Sequence, residues 1–159
     1  MLDATISAAL AKLDRELKDA ALVVGKFPEA DAMLGLYFAV AISGVCEESI
    51  ERLLCKRSQR AGDAPICSFV EWALDTRFRN PDFATLKGTL GEFDGTWVNR
   101  LESLIDPDMD GGALSAIVKV KNDVAHGGKM RLSLTVKDVT QHYTKAKRVL
   151  DALETVLAI

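Results

Sequence analysis

EADAMLGLYFAVAISGVCEESIERLLCKRSQR, residues 29–60, decides the fold class. Read as one helix it runs on the order of 45–50 Å at 1.5 Å per residue. Its first half, MLGLYFAVAISGV, is apolar all round, so it is expected to be buried on most sides. Its second half, EESIERLLCKRSQR, is amphipathic and ends basic, and Ala61-Gly62-Asp63 supplies a C-cap.

Outward from this helix the chain keeps the helical period. Residues 2–24 place Leu2, Ile6, Ala9, Leu10, Leu13, Leu17, Ala20, Ala21 and Val24 at 3.6-type spacing, and Gly25 and Pro28 end the run. Residues 65–78 read as a short helix. Asn80-Pro81-Asp82 opens the next, with Pro81 at an early helical position, and FATLKGTLGEF carries it to Asp94-Gly95. Another starts at Thr96-Trp97 and runs through Leu101, Leu104 and Ile105. After DPDMDGG, residues 106–112, comes a helix over about 113–126, ended by Gly127-Gly128. Thr135 and Asp138 have capping-box spacing, with Asp in place of Glu. The last helix lines up Val139, Tyr143, Ala146, Val149, Leu150, Leu153, Val156 and Leu157 on one face. The expected fold is all-α: a single domain over residues 1–159, a bundle with long antiparallel helices and a C-terminal helical hairpin around KNDVAHGG.

Composition agrees. The chain has 159 residues, 48% hydrophobic and 27% charged, with few aromatics, which suits one soluble domain with its own core. Its net charge of −3 argues against coating nucleic acid by overall charge, so any such contact needs a local patch. Cys46, Cys55 and Cys67 are odd in number and lack metal-ligand spacing, which predicts free thiols in a reducing, cytoplasmic setting. The start of the chain has no basic n-region, and no uninterrupted apolar run reaches about 18 residues, so neither a secretory signal nor a membrane span is expected.

Several clusters have both a structural and a chemical reading. Asp106, Asp108, Asp110 and Gly111 match positions of a calcium loop, but Ile117 stands where a bidentate Glu belongs, so an acidic cluster at a helix N-terminus is the better reading. The cysteines read as buried thiols, and His142 as an exposed side chain. Arg52, Lys56, Arg57 and Arg60 form a basic run that matters only if it lies near KNDVAHGG. Ser43 and Glu47 share a face of the long helix; Glu47 either pairs with a lysine or caps a neighbour, or the two line a site.

The richest stretch is KVKNDVAHGGK, residues 119–129. Asn122 and His126 lie four apart on one face, and Lys121 sits about 140° round the helix from His126. Ile117, Val118, Val124 and Ala125 are the expected core positions. His126 falls in the last turn, where the helix dipole favours a protonated imidazole, and an imidazole titrating near neutral pH suits general acid–base work. Lys119, Lys121, Lys129 and Arg131 outnumber Asp123, giving a local cationic patch fit for phosphate. A last-turn histidine followed by glycines is also an ordinary helix end.

KNDVAHGG resembles the signature of the HEPN superfamily, in particular its RiboL-PSP-HEPN-like group, in which a helix ends Arg-Asn-x-φ-Ala-His-Gly. Asn122, Val124, Ala125, His126 and Gly127 match, and Thr135-x-x-Asp138 opens the last helix as in that group. ISGVCEESI, NPDF and FDGTWVNRL strengthen the likeness, which covers about residues 30–158. The resemblance implies a homodimer through the motif-bearing helices and one composite, metal-independent ribonuclease site needing no cofactor. It implies attack of a ribose 2′-OH on its own phosphate, with His126 as general acid or base and Asn122 orienting it or the phosphate. RNA would be the substrate, and an antitoxin or other regulatory protein the partner. The chain departs in one place: Lys121 stands where the family has arginine, a point charge in place of a planar bidentate fork. A silent member that binds nucleotide, RNA or a partner protein is the alternative.

Overall fold

The computed structural model describes residues 3–126 and 134–158. Among these there is no strand, and seven helices form an all-α bundle. They are α1 (Ala4–Lys26), α2 (Asp31–Gln59), α3 (Ala64–Arg77), α4 (Phe83–Phe93), α5 (Gly95–Leu104), α6 (Gly112–Ala125) and α7 (Val136–Leu157). Short turns at Pro28–Ala30 and Pro107–Gly111 lead into α2 and α6.

α2 is the central element, packed by α1, α3, α6 and α7. Ile42, Cys46 and Ile50 of α2 are buried together with Val139, Ala146 and Leu153 of α7 and Ile117 of α6. α1 adds Ile6, Leu10, Leu13 and Leu17, spaced three and four apart on one face. Tyr143 of α7 is buried too, and its hydroxyl donates to the Leu10 carbonyl at 3.0 Å, so the phenol is satisfied inside the core. With its leading turn, α2 is long and apolar enough by composition alone to cross a membrane, although ten of its residues are buried within the bundle.

Local signals set the helix starts. Asp3, Asp63, Asp82, Asp94 and Thr135 each accept a backbone N–H within the first turn they open. The capping box of α7 is complete, with Thr135 and Asp138 bonded reciprocally. Two expectations need correction. Pro81 lies before α4 rather than in its first turn, because Asp82 takes the N-cap and accepts from the Thr85 N–H at 2.7 Å. The N-terminal half of α2 is not buried on most sides: Met33, Tyr37 and Val40 are exposed.

α6 and α7 pack on each other as a helical hairpin, and both lie on α2. The hairpin is pinned at the start of α7. The Val136 N–H donates to Asp31 Oδ1 at 2.7 Å, and the Leu134 backbone passes against Gly35 so closely that a Cβ there would overlap the Leu134 carbonyl oxygen.

Candidate functional site

α6 buries Leu114, Ile117, Val118 and Val120. Burial then stops: Lys121 and Asn122 are half-buried, and every residue from Asp123 to His126 is exposed. The last turn of α6 therefore projects past its neighbours. Val124 and Ala125, expected in the core, are on the surface for that reason. His126 is the C-cap, and its N–H donates to the Asn122 carbonyl at 3.0 Å, so the histidine ends the helix one turn above Asn122. Lys119 is exposed two residues before Lys121. Lys129 and Arg131, like Gly127-Gly128, lie outside the described residues.

Lys121 turns inward. Its Nζ donates to Glu47 Oε2 of α2 at 2.7 Å, with the two side chains 25% and 20% exposed. Glu47 Oε1 accepts the Asn80 N–H at 3.0 Å. One carboxylate thus ties α6, α2 and the α3–α4 connection. Asn80 holds a left-handed φ of 51°, a conformation asparagine tolerates better than most side chains. Its Oδ1 is buried with no hydrogen-bond partner among the described residues. The surroundings of this node are acidic. Burial, and then the charges of Glu47, Asp75 and Glu48, push the Glu51 carboxyl above its usual range.

Of the paired readings for Glu47, the structure shows both structural ones together, a lysine partner and a capped neighbour. Ser43 does not line an open site. It is buried at 1% exposure, and its Oγ has no hydrogen-bond partner among the described residues.

The basic run belongs elsewhere. Arg52 Nε and Lys56 Nζ reach the Asp3 carboxylate at 3.1 and 2.8 Å; Lys56 and the Thr5 N–H hold that carboxyl well below the usual range. The Arg57 guanidinium lies over the Trp97 ring, and Arg60 donates to the Ala158 carbonyl. The run begins close to the Lys121 contact, since Arg52 stands five residues or roughly 8 Å along α2 from Glu47. Its cations are engaged by Asp3, Trp97 and the Ala158 carbonyl rather than by the end of α6.

The remaining candidates take structural roles. Asp106 Oδ1 caps its own turn by accepting the Asp108 and Met109 N–H groups. Asp110 is buried, accepts the Asp106 N–H and pairs with Arg148 of α7 at 3.4 Å. These bonds are those of an acidic turn opening α6. Among the described residues no group of three or more His, Cys, Asp or Glu side chains is placed to hold a metal ion. All three cysteines are free, but only Cys46 is buried and Cys55 and Cys67 are half-buried; burial pushes the Cys46 thiol up to about 12, and burial together with Glu71 and Glu51 raises Cys55. His142 is half-buried rather than exposed; burial, then Lys145, lowers its pKa against the opposing pull of Asp138.

Asn80 is a participant that the helical pattern does not reveal: NPDF reads as a helix opening, and the Asn-Pro pair is the one signal that the backbone turns there. The exposed aromatics of α3, Phe69 and Trp72, with ring centroids 5.8 Å apart and planes tilted by 36°, are likewise hidden inside an ordinary helical run.

Compared with protein-family models, the chain matches none, and comparison with curated proteins and with solved structures finds no match either.

Proposed function

We propose that this chain is a HEPN-type, metal-independent endoribonuclease, a toxin or defence effector working in the cytoplasm as a homodimer and restrained by an antitoxin or other regulatory protein. The observation that carries the reading is the bare last turn of α6: His126 stands exposed at its end, one turn from Asn122, beside exposed Val124 and Ala125. Self-association has further support on α2. Met33, Val40 and Glu47 recur every seven residues and so share one side of that helix. Glu47 is where α6 meets it, and Met33, Tyr37 and Val40 leave the rest of that side apolar and uncovered. A second copy laid across this surface would bring two α6 ends, and two histidines, together.

In such a site one neutral imidazole takes the proton from the ribose 2′-OH as its oxygen attacks the adjacent phosphorus. The bond from phosphorus to the 5′-oxygen breaks, and the imidazolium of the second copy returns a proton to that oxygen. The products are a 2′,3′-cyclic phosphate and a 5′-OH end. Asn122 orients imidazole or phosphate, Lys119 adds long-range attraction, and Lys121 is the cation available for the equatorial charge of the phosphorane.

The second reading, a silent module that binds nucleotide, RNA or a partner protein, is favoured by one observation: Lys121, at the position of the motif arginine, is neutralised by Glu47. The test is cleavage of RNA in EDTA by the wild-type chain and His126→Ala purified alike. Loss of one general acid–base is expected to slow cleavage about 10²- to 10⁴-fold. Equal cleavage by both proteins would overturn the ribonuclease reading.

A further inference from the structure

We propose that Glu47 is the positioning residue of the Lys121 cation: it holds the ammonium in the α2–α6 contact, and an RNA phosphate gains Lys121 only by displacing the Glu47 carboxylate. The inference rests on the ribonuclease reading and adds a control on the cation of its motif.

Lys121 lies about 140° round α6 from His126, and its Nζ is committed to Glu47 Oε2 at 2.7 Å, toward α2. His126 and Asn122 share a different side of the helix. In this arrangement the chain presents a histidine and an asparagine to a phosphate without the cation.

Charge points the same way. A carboxylate in direct contact leaves the pair with no net charge, and after burial the charges of Glu47, Asp75 and Glu48 all raise the neighbouring Glu51 carboxyl. A phosphate approaching the closed pair meets carboxylates, not a cation. It becomes a competitor for Lys121 only where the dimer and the bound RNA bring it to the opposite side of α6.

The residue types fit an exchange of partners. Lysine has a flexible four-carbon stem and three donors, so its head can swing without moving the helix. Its side chain is 25% exposed, which gives the ammonium a path out through solvent. Glu47 is 20% exposed and retains the Asn80 N–H when Lys121 leaves. An arginine would fork across Glu47 and hold it more firmly, so the Lys121 departure is what makes the pair releasable.

Two measurements on the full chain test this. The first is the rate of lysine acetylation by a succinimidyl ester, read by mass spectrometry, with exposed Lys119 as the internal reference. Lys121 is expected to react about tenfold more slowly than Lys119 in the wild type, and Glu47→Gln to remove most of that difference. Glutamine keeps an acceptor for the Asn80 N–H, so the fold is retained. Equal rates at Lys119 and Lys121 in the wild type, or no change in Glu47→Gln, would overturn the inference.

The second is binding of a fluorescent single-stranded RNA oligonucleotide. Glu47→Gln is expected to tighten it about three- to tenfold, and Glu47→Gln/Lys121→Met to cancel the gain. RNA cleaved and bound equally by wild type and Glu47→Gln would overturn the role of Glu47 and leave the ribonuclease reading standing; RNA bound without cleavage would overturn the ribonuclease reading. No binding or cleavage by any variant would overturn both.

Discussion

Gly35→Ala tests how the hairpin is seated on α2. A Cβ at Gly35 would overlap the Leu134 carbonyl oxygen and lie 2.8 Å from the Leu134 carbonyl carbon and 3.0 Å from that of Thr135. All three are backbone atoms, so no rotamer change relieves the clash. The start of α7 has to retreat by roughly 1 Å or more to reach ordinary contact distance. That retreat stretches the bond from the Val136 N–H to Asp31 Oδ1, now 2.7 Å, out of useful range. Overpacking costs about 1–3 kcal/mol, and losing a hydrogen bond to a charged acceptor about 1.5–3 kcal/mol. Replacing glycine by alanine inside a helix returns about 1 kcal/mol. The net expectation is a loss of about 1.5–5 kcal/mol. For a chain of this size that lowers Tm by about 3–20 °C, measured by thermal unfolding followed by circular dichroism. An alanine variant as stable as the wild type, or more so, would refute the close approach of α7 to α2 and leave helix propensity as the dominant effect.

Two further outcomes follow from the surface and from His142. Met33→Ser/Tyr37→Ser exchanges exposed apolar side chains for polar ones, so it is expected to keep the monomer fold while weakening any self-association at least about tenfold in sedimentation velocity; an unchanged association constant would remove this side of α2 from the interface. His142 binds its proton less readily in the fold than in the unfolded chain, chiefly through burial. Its contribution is therefore fully present above the unfolded pKa of about 6.5 and is lost as pH falls through that value toward the folded one. Urea midpoints measured from pH 8 to pH 5 are expected to fall on the acid side in the wild type and to fall less in His142→Gln; parallel curves would contradict this.

The helices were legible because their signals are local. The α7 stripe from Val139 to Leu157, the capping box at Thr135 and Asp138, and the long apolar run of α2 each need only neighbours in the chain. What escaped depends on tertiary placement. Apolar spacing put Val124 and Ala125 in the core, because periodicity records which side of a helix is apolar and not where its neighbours end. Met33, Tyr37 and Val40 were misplaced for the same reason. Glu47 could be marked as a costly carboxylate in need of a partner, but neither Lys121 nor Asn80 could be chosen from among the polar residues of the chain. Ser43 shares the helix face of Glu47 by spacing, yet it is sealed in the core.

The three-way bond at Glu47 also bears on how the chain folds. Its partners stand 33 and 74 residues away, so both contacts close long loops whose entropy must be offset before the bonds contribute. Such contacts form after the helices and their nearest apolar neighbours have condensed. Removing them should leave the folding rate almost untouched and quicken unfolding. The same carboxylate would then govern how long the native chain persists once formed, a kinetic lifetime separate from its equilibrium stability.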